Sequence, residues 1–362
     1  MVFLQHGIST SFQYLPIQGT LWERLLHTIS NGGIGVSIFF VLSGFLITYL
    51  LVSEHEISAK VSVRNFYIRR VLRIWPLYFL VVAISFLIYP IMKSMLGFSS
   101  PSVANIFLHL SFLSNFDVIR IEQFHPGQDV MSQNITWSVS IEEQFYLLWP
   151  LIFAFLPKRF WVHAIAFVIG GSLVFRILNQ DNYHVLYFHT FSVLLDLGIG
   201  GMLAYLVKTN QSVRSFFEKT SGLQHLLFFF FSFLLIFYSD KIFSFDYGTA
   251  IGRVFISFSF ALIIASQAVT KSKSRLNLHN FTFASKWGKY TYGIYLIHPL
   301  AITMCDVVAR LVNFPLSSFI SVFALGIAAF LLTLLLSKLS YDFYESKFLR
   351  LKDRFTTITT HE

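Results

Sequence analysis

The sequence predicts an all-α membrane protein, a polytopic bundle of helices that crosses a lipid bilayer many times. Of the 362 residues, 55% are hydrophobic and only 12% are charged, and the mean hydropathy is +0.65. Soluble domains carry about 25% charged residues. Apolar runs also recur at lengths close to the roughly 20 residues that a helix needs to cross a bilayer. Composition and run length together exclude an ordinary soluble domain.

Nine apolar runs are long enough to be full transmembrane helices. In chain order they are Gly33–Val52, Ile74–Met92, Trp137–Leu156, Phe160–Leu178, Val185–Val207, Leu223–Tyr238, Thr249–Thr270, Tyr290–Ala309 and Leu316–Ser337. The run Ala104–Phe116 is too short to cross a bilayer of about 30 Å at about 1.5 Å per residue. It is therefore predicted to be a re-entrant or interfacial helix.

The basic residues predict the orientation of these helices. Of the 27 Lys and Arg residues, 20 fall in the alternate set of connections, which includes Lys60, Lys158, Lys208, Lys273 and Lys347. By the positive-inside rule these connections face the cytoplasm. The prediction is a membrane-embedded domain over residues 1–345 and a short basic cytoplasmic tail over 346–362. The basic residues that give the net charge of +9 are expected to contact anionic lipid headgroups. No motif or separate basic domain supports nucleic acid binding.

The start of the chain predicts a truncated first helix. His6 follows the apolar residues Val2, Phe3 and Leu4, and residues 9–34 form an outer loop that leads into the first full span. A helix ending in that loop should begin in the cytoplasm, yet few residues precede His6. We therefore expect that the first helix begins before Met1 in a longer form of the protein.

Two carboxylates interrupt the apolar segment 134–150. A carboxylate inside a bilayer costs on the order of 3 kcal/mol or more unless it faces protein or water, so Glu142 and Glu143 are candidate functional residues. Helical spacing puts Ser138, Glu142, Phe145 and Trp149 on one face, and Val139, Glu143 and Tyr146 on another. The structural alternative is an ion pair of Glu142 with Arg176 or Arg253. Trp137 is either an interfacial anchor or an acceptor contact.

Three arginines at a cytoplasmic helix edge suit a phosphorylated ligand. Arg69 and Arg70 precede Arg73 by four and three residues, so they share a helix face with it and form a fork for phosphate. The alternative is an anchor on lipid phosphate. His298 and Asp196 are expected to line polar cavities, while Gly198, Gly200 and Gly201 suggest close helix packing. The histidines show no metal-ligand pattern, and no metal is predicted.

Five segments, in order along the chain, resemble one family of membrane acyltransferases. They are Gly35–Ile47 (GVSIFFVLSGFLI), Phe66–Tyr78 (FYIRRVLRIWPLY), Thr136–Pro150 (TWSVSIEEQFYLLWP), Gly288–Pro299 (GKYTYGIYLIHP) and Tyr341–Leu349. Together they closely resemble the family called acyltransferase type 3. Its members have about ten transmembrane helices. They move acyl groups, commonly acetyl, from cytoplasmic acyl-CoA to sugars of surface polysaccharides or to other hydroxylated acceptors.

The resemblance assigns roles to residues of this chain. His6 matches the family's catalytic histidine, Glu142 matches its fixed glutamate, and Arg69, Arg70 and Arg73 are implied to bind the donor's phosphates. Trp137, Glu143 and His298 are implied as acceptor contacts or cavity lining. Two departures stand out: the arginine that precedes the histidine in the family falls before Met1, and Ser37 occupies a frequent aspartate position.

The predicted activity is O-acyl transfer in the inner (plasma) membrane. Acyl-CoA, in particular acetyl-CoA, is expected as a co-substrate rather than a bound cofactor, and the acceptor is expected to be a carbohydrate hydroxyl. Direct transfer and a two-step route through an acyl-imidazole both remain open. The competing predictions are a flippase for lipid-linked saccharide and a catalytically degenerate membrane scaffold.

Overall fold

The computed structural model describes residues 1–95, 103–126, 135–270 and 282–355, and their regular elements are helical. The α-helices are α1 (Val2–Gly7), α2 (Leu21–Ile29), α3 (Gly32–Ser58), α4 (Val63–Leu87), α5 (Tyr89–Met95), α6 (Ile106–Leu110), α7 (Ser114–Phe124), α8 (Thr136–Phe155), α9 (Trp161–Leu178), α10 (Tyr183–Phe188), α11 (Thr190–Thr209), α12 (Gln211–Glu218), α13 (Gly222–Phe237), α14 (Ser239–Ile242), α15 (Gly248–Val269), α16 (Thr282–Gly288), α17 (Thr291–Leu311), α18 (Phe319–Ser340) and α19 (Ser346–Lys352). Short 3₁₀ turns lie at Ser9–Tyr14, Lys158–Phe160 and Asp353–Phe355, and Tyr341–Glu345 forms a π-helical turn.

Seven helical stretches within the described residues are long and apolar enough to cross a membrane, and a bent pair adds an eighth. The bent pair is α12 and α13, which meet at 100°. These eight coincide with eight of the nine predicted spans. The ninth, α8, forms over 20 residues with bounds within one residue of the prediction. It is absent from the apolar set because serines, two glutamates and a glutamine lower its hydropathy. The all-helical, multi-pass prediction is therefore confirmed, and the count of nine is not.

Two of the predicted segments, the outer loop and the last span, differ in the structure. The predicted outer loop at residues 9–34 contains the amphipathic helix α2, whose N-terminus is capped by the Thr20 hydroxyl. The last apolar stretch does not end at Ser337 but continues in helical form to Lys352, so the predicted tail begins inside it. Residues 356–362 of that tail, and Lys273 of the predicted cytoplasmic loop, lie outside the described residues.

The segment that was predicted not to cross the membrane forms two short helices. α6 has five residues and α7 has eleven, so neither can span a bilayer. Asp117 of α7 is fully buried and accepts a hydrogen bond from the Asn105 amide at 2.7 Å. That contact joins the two helices into one compact surface element.

The described chain divides into two compact units. Unit 1 comprises residues 1–35, 67–95, 103–126, 135–141 and 289–355, and unit 2 comprises 36–66, 142–270 and 282–288. In unit 1, α1 packs on α17 and α18, and a Cβ at Gly326 would overlap the Gly7 carbonyl oxygen.

In unit 2, α3 and α11 cross closely. A Cβ at Gly44 would overlap the Leu197 carbonyl, and one at Gly200 would overlap the Val41 carbonyl. The small-residue packing predicted for this stretch of α11 is confirmed.

Candidate functional site

Two histidines far apart in sequence meet in unit 1. The Nδ1 atom of His6, on α1, lies 3.0 Å from Nε2 of His298, on α17. Their rings stack with centroids 5.2 Å apart. His298 is 1% exposed, and its Nδ1 lies 2.6 Å from the main-chain carbonyl oxygen of Tyr295. The predicted catalytic histidine therefore has a buried imidazole as its direct partner.

The hydrogen bonds fix where the protons lie on these rings. A carbonyl oxygen only accepts, so Nδ1 of His298 carries the proton that bonds to Tyr295. A second proton on His298 would bury a charge, which is costly. With a neutral His298, its Nε2 accepts, and Nδ1 of His6 donates. The Nε2 atom of neutral His6 is then unprotonated, which is the state that a general base requires.

The same chain of contacts continues into α8. The hydroxyl groups of Tyr295 and Ser138 lie 2.6 Å apart. Tyr295 and His298 belong to one sequence segment, and Ser138 belongs to the segment that also contains Glu142. Ser138 therefore supports the histidine pair through Tyr295.

The three predicted donor-binding arginines lie on α4 and differ in their surroundings. Arg69 is half-buried, and its Nη1 donates to the Phe355 carbonyl at 2.8 Å. Arg70 is half-buried, and Arg73 is exposed. Arg73 carries its charge close enough to act on Glu345, which is buried at the end of the π-helical turn. Arg73 therefore offers the most accessible guanidinium of the three.

Two tyrosine hydroxyls fix the helix that carries these arginines. Tyr292 donates to the Ile74 carbonyl at 2.9 Å, and Tyr344 donates to the Pro76 carbonyl at 3.2 Å. Pro76 removes one backbone hydrogen bond from α4 and weakens the helix just after Arg73, and the two tyrosines brace the helix at this point. The π-helical turn supplies Tyr344, and such turns are frequent at functional sites. Three of the five sequence segments thus meet beside Arg73.

Glu142 lies in unit 2 and is held by hydroxyl groups. It is 3% exposed, and its Oε1 accepts from Ser43 and, at 2.8 Å, from Tyr146. The Ser43 and Tyr146 hydroxyls also lie 2.6 Å apart. Tyr146 was predicted to share a face with Glu143, and its hydroxyl bonds to Glu142, four residues before it on the helix.

Among the described residues, Glu142 does not form the alternative ion pair with Arg176 or Arg253. Arg253 pairs with Asp196 instead, and Arg176 donates to Ser192. Arg176 and Arg253 therefore belong to a different polar cluster of unit 2.

The remaining predicted site residues are Trp137, in unit 1, and Glu143, in unit 2. Trp137 is 7% exposed, which leaves little of its ring available to anchor α8 at a lipid surface. Glu143 is half-buried. Contact of Trp137 and of Glu143 with the acceptor therefore stays a prediction.

Sequence reasoning missed a polar network that supports the start of α8. The His109 ring lies 3.0 Å from the Thr136 hydroxyl, and the hydroxyls of Ser114 and Ser140 lie 2.7 Å apart. Asp117 lies beneath this network, 3.5 Å from His109. The signal available in sequence was the recurrence of small hydroxyl residues at Thr136, Ser138 and Ser140.

Hydrogen bonds keep the Asp117 carboxylate charged. Burial alone would raise the pKa of Asp117, but hydrogen bonds from His109, the Asn105 amide and Arg120 outweigh burial and lower it below 3.8. The Arg120 guanidinium donates to Asp117 Oδ1 at 2.7 and 2.9 Å. This pair fixes the surface element against the start of α8.

Comparison with known proteins identifies relatives along most of the chain. The model of the family described as an acyltransferase domain, acyltransferase type 3, matches residues 1–338. O-acetyltransferase OatA of Staphylococcus aureus (strain NCTC 8325 / PS 47) is 33% identical over 190 residues, which cover 49% of this chain and 30% of that protein. Putative peptidoglycan O-acetyltransferase YrhL of Bacillus subtilis (strain 168) is 28% identical over 336 residues, which cover 87% of this chain and 50% of that protein.

The matched part of the chain thus spans half the length of YrhL and less than a third of OatA. No solved structure matches the chain.

Proposed function

Because the chain belongs to the acyltransferase type 3 family, we propose that it is an integral membrane O-acetyltransferase. In this proposal it moves an acetyl group from cytoplasmic acetyl-CoA to a hydroxyl of a cell-surface carbohydrate, and it resides in the plasma membrane. The names of OatA and YrhL support acetyl as the group and oxygen as the acceptor atom. The name of YrhL also favours peptidoglycan as the acceptor polymer.

The pairing of His6 with His298 is the observation that carries the proposal. The unprotonated Nε2 of His6 takes the proton of the acceptor hydroxyl as its oxygen attacks the thioester carbon. The carbon–sulfur bond then breaks, and the proton passes from His6 to the departing sulfur, which leaves an ester and the free thiol of coenzyme A. In the two-step route the same Nε2 attacks the thioester carbon, and the carbon–sulfur bond breaks to release the thiolate of coenzyme A. The acceptor hydroxyl then takes the acetyl group from the imidazole, and its proton passes to the thiolate, which regenerates His6. Both routes need the tautomer that His298 enforces.

The arginines of α4 suit the phosphates of the donor. Coenzyme A carries a pyrophosphate and a 3′-phosphate, and guanidinium groups bind such oxyanions through two parallel hydrogen bonds. We assign the phosphates to Arg70 and Arg73, while Arg69 braces the helix through Phe355. The cytoplasmic position of this helix edge follows from the positive-inside rule.

Glu142 keeps its proposed catalytic role, and its surroundings make that role testable. Two hydroxyl donors hold the carboxylate in one orientation, so Glu142→Gln preserves its shape and removes its charge. Loss of acetyl transfer with unchanged thermal stability would support a chemical role. Loss of stability alone would reduce Glu142 to a structural residue.

The decisive experiment measures transfer by the purified full chain in lipid nanodiscs. Radiolabelled acetyl-CoA and a soluble peptidoglycan fragment are supplied, and the labelled ester is counted. His6→Ala should lower kcat by about 10²- to 10⁴-fold, because it removes the general base. His27→Ala is the matched control, since His27 is an exposed histidine of α2. Full activity of the His6 variant would overturn the mechanism.

The competing functions give different results in cells. Mass spectrometry of the surface glycan with and without the gene should show loss of an ester from an intact polymer. Loss of the polymer itself would indicate a flippase for lipid-linked saccharide. An unchanged glycan would indicate a scaffold.

A further inference from the structure

A second buried cluster, in unit 2, is built from charged residues that the transfer chemistry does not use. Asp196 of α11 is fully buried, and Arg253 of α15 donates to both of its carboxylate oxygens. Ser257, one turn along α15, donates to the same carboxylate. This bidentate pair satisfies Asp196 completely.

A second arginine joins the cluster without a carboxylate of its own. Arg176 of α9 is 6% exposed, and its Nη1 donates to Ser192 Oγ at 2.5 Å and to the Leu186 carbonyl at 3.2 Å. Ser192 precedes Asp196 by one helical turn, which is about 6 Å along α11. Among the described residues, Asp196 is the one carboxylate whose charge acts on Arg176, and the Nε atom of Arg176 is buried without a hydrogen-bond partner.

The cluster therefore holds one positive charge in excess in a low-dielectric setting. Two guanidinium groups share a single carboxylate, and an uncompensated buried charge costs several kcal/mol. Intramembrane charges of this kind usually mark a substrate path or a ligand. An oxyanion that bound the second guanidinium would balance the charge and satisfy the buried Nε.

The positions of these residues along their helices place the cluster toward the outer surface. By the positive-inside rule, Lys158 places the residues just before α9 in the cytoplasm, and Lys208 places the end of α11 there. Arg176 lies two residues before the opposite end of α9, and Arg253 lies five residues after the start of α15. The Arg253 side chain remains 21% exposed. A ligand reaching the cluster would arrive from the side on which a surface carbohydrate is found.

We propose that Arg176 and Arg253 form a subsite for an oxyanion carried by the acceptor, the carboxylate of an acidic sugar. The inference rests on the proposed function, because it assigns this subsite to the same acceptor. A phosphate of an outer-leaflet lipid offers the same oxyanion chemistry, and the test separates the two sources.

The test is direct binding in nanodiscs of phosphatidylcholine alone, without acetyl-CoA. The probes are a peptidoglycan disaccharide of N-acetylglucosamine and N-acetylmuramic acid with a free lactyl carboxyl and the same disaccharide with that carboxyl amidated. Arg176→Gln should weaken binding of the acidic probe by at least about tenfold and leave binding of the amidated probe unchanged. Arg176→Lys keeps the positive charge but cannot make two parallel hydrogen bonds to a carboxylate. It should therefore weaken binding of the acidic probe less than Arg176→Gln does. Arg159→Gln, an exposed arginine before the other end of α9, is the matched control.

Three results would overturn the proposal. The wild-type chain could bind both probes equally, or Arg176→Gln could bind the acidic probe as well as the wild type does. A third result would assign the subsite to lipid: Arg176→Gln binds the acidic probe normally, but added phosphatidylglycerol no longer changes its binding as it does in the wild type. Because binding is measured without donor, the binding result can be interpreted even if the chain transfers no acetyl group. A chain that transfers acetyl but binds both probes equally would contradict the subsite and not the proposed function.

Discussion

Two polar regions, one around His6 and one around Asp196, stabilise their buried polar groups in opposite ways. In unit 1, His6 donates to His298 and His298 donates to the Tyr295 carbonyl, so this neutral pair has hydrogen bonds of fixed direction, and the Tyr295 hydroxyl separately contacts Ser138. In unit 2, Asp196 and Arg253 form a paired set of permanent charges. A neutral directional chain decides which atom carries a proton. A charged cluster favours ligands and side chains of the opposite charge.

This contrast explains why the first region suits chemistry and the second suits binding. A neutral imidazole such as His6 can take a proton from a hydroxyl and give it up again near neutral pH, whereas a paired carboxylate and guanidinium both stay charged. Glu142 is intermediate, because it is a carboxylate held by the neutral hydroxyls of Ser43 and Tyr146.

The largest expected effect follows from breaking the charged pair of unit 2. Asp196→Asn leaves the half-buried Arg253 and the buried Arg176 without a counter-charge, and removing one partner of a buried pair costs about 3–5 kcal/mol. The thermal unfolding midpoint in nanodiscs should therefore fall strongly. The double variant Asp196→Asn with Arg253→Gln should recover part of the loss. Equal midpoints for wild type and Asp196→Asn would show that the charges do not stabilise unit 2.

The next effect tests the neutral chain of unit 1. His298→Ala removes the acceptor for His6 Nδ1–H, so both tautomers of His6 become available and kcat should fall about 100-fold. The KM for acetyl-CoA should stay unchanged, because the donor's phosphates are proposed to bind on α4. His298→Gln supplies a carbonyl oxygen that can accept the same proton, and it should restore part of the rate. Equal loss in the Ala and Gln variants would mean that His298 only packs.

The helical fold could be predicted because span length and hydropathy are properties of short stretches of sequence. Runs such as Thr249–Thr270 and Phe160–Leu178 agree with the helices within a few residues. α8 shows the limit of the method, since its polar residues serve contacts within the protein and lower the hydropathy on which the count depends.

The partners of the site residues could not be predicted, because they depend on tertiary contacts. His6 and His298 are 292 positions apart, and Ser43 and Glu142 are 99 apart. Local spacing does carry some of this information. Tyr146, four residues after Glu142, could have been recognised as its neighbour from helix geometry alone.

A smaller effect concerns the buried carboxylate of unit 1 that lies outside the membrane spans. The pKa of Asp117 is lowered below 3.8 in the folded protein, so its ionised form stabilises the fold above about pH 4. That stability is lost as the pH falls through the folded-state pKa. Asp117→Asn should cost about 1.5–3 kcal/mol at pH 7 and flatten the dependence of unfolding on pH below 4.

Exposed Asp246 provides the control for this comparison, because Asp246→Asn removes an acid without removing a buried hydrogen bond. An equal pH dependence in the wild type and Asp117→Asn would show that the acid sensitivity of the fold arises at other carboxylates.

The smallest effect tests whether unit 1 also uses permanent charge to bind a ligand, as proposed for unit 2. Arg73→Gln should raise the KM for acetyl-CoA about tenfold and leave kcat nearly unchanged, because one charge-assisted contact to phosphate is lost in both the ground state and the transition state. Added salt should weaken donor binding by the wild type more than by the variant. Arg64→Gln removes an exposed arginine of the same helix and should change neither constant. An unchanged KM in Arg73→Gln would reduce the arginines of α4 to anchors on lipid phosphate, and would leave unit 2 as the part of the molecule in which charge selects a ligand.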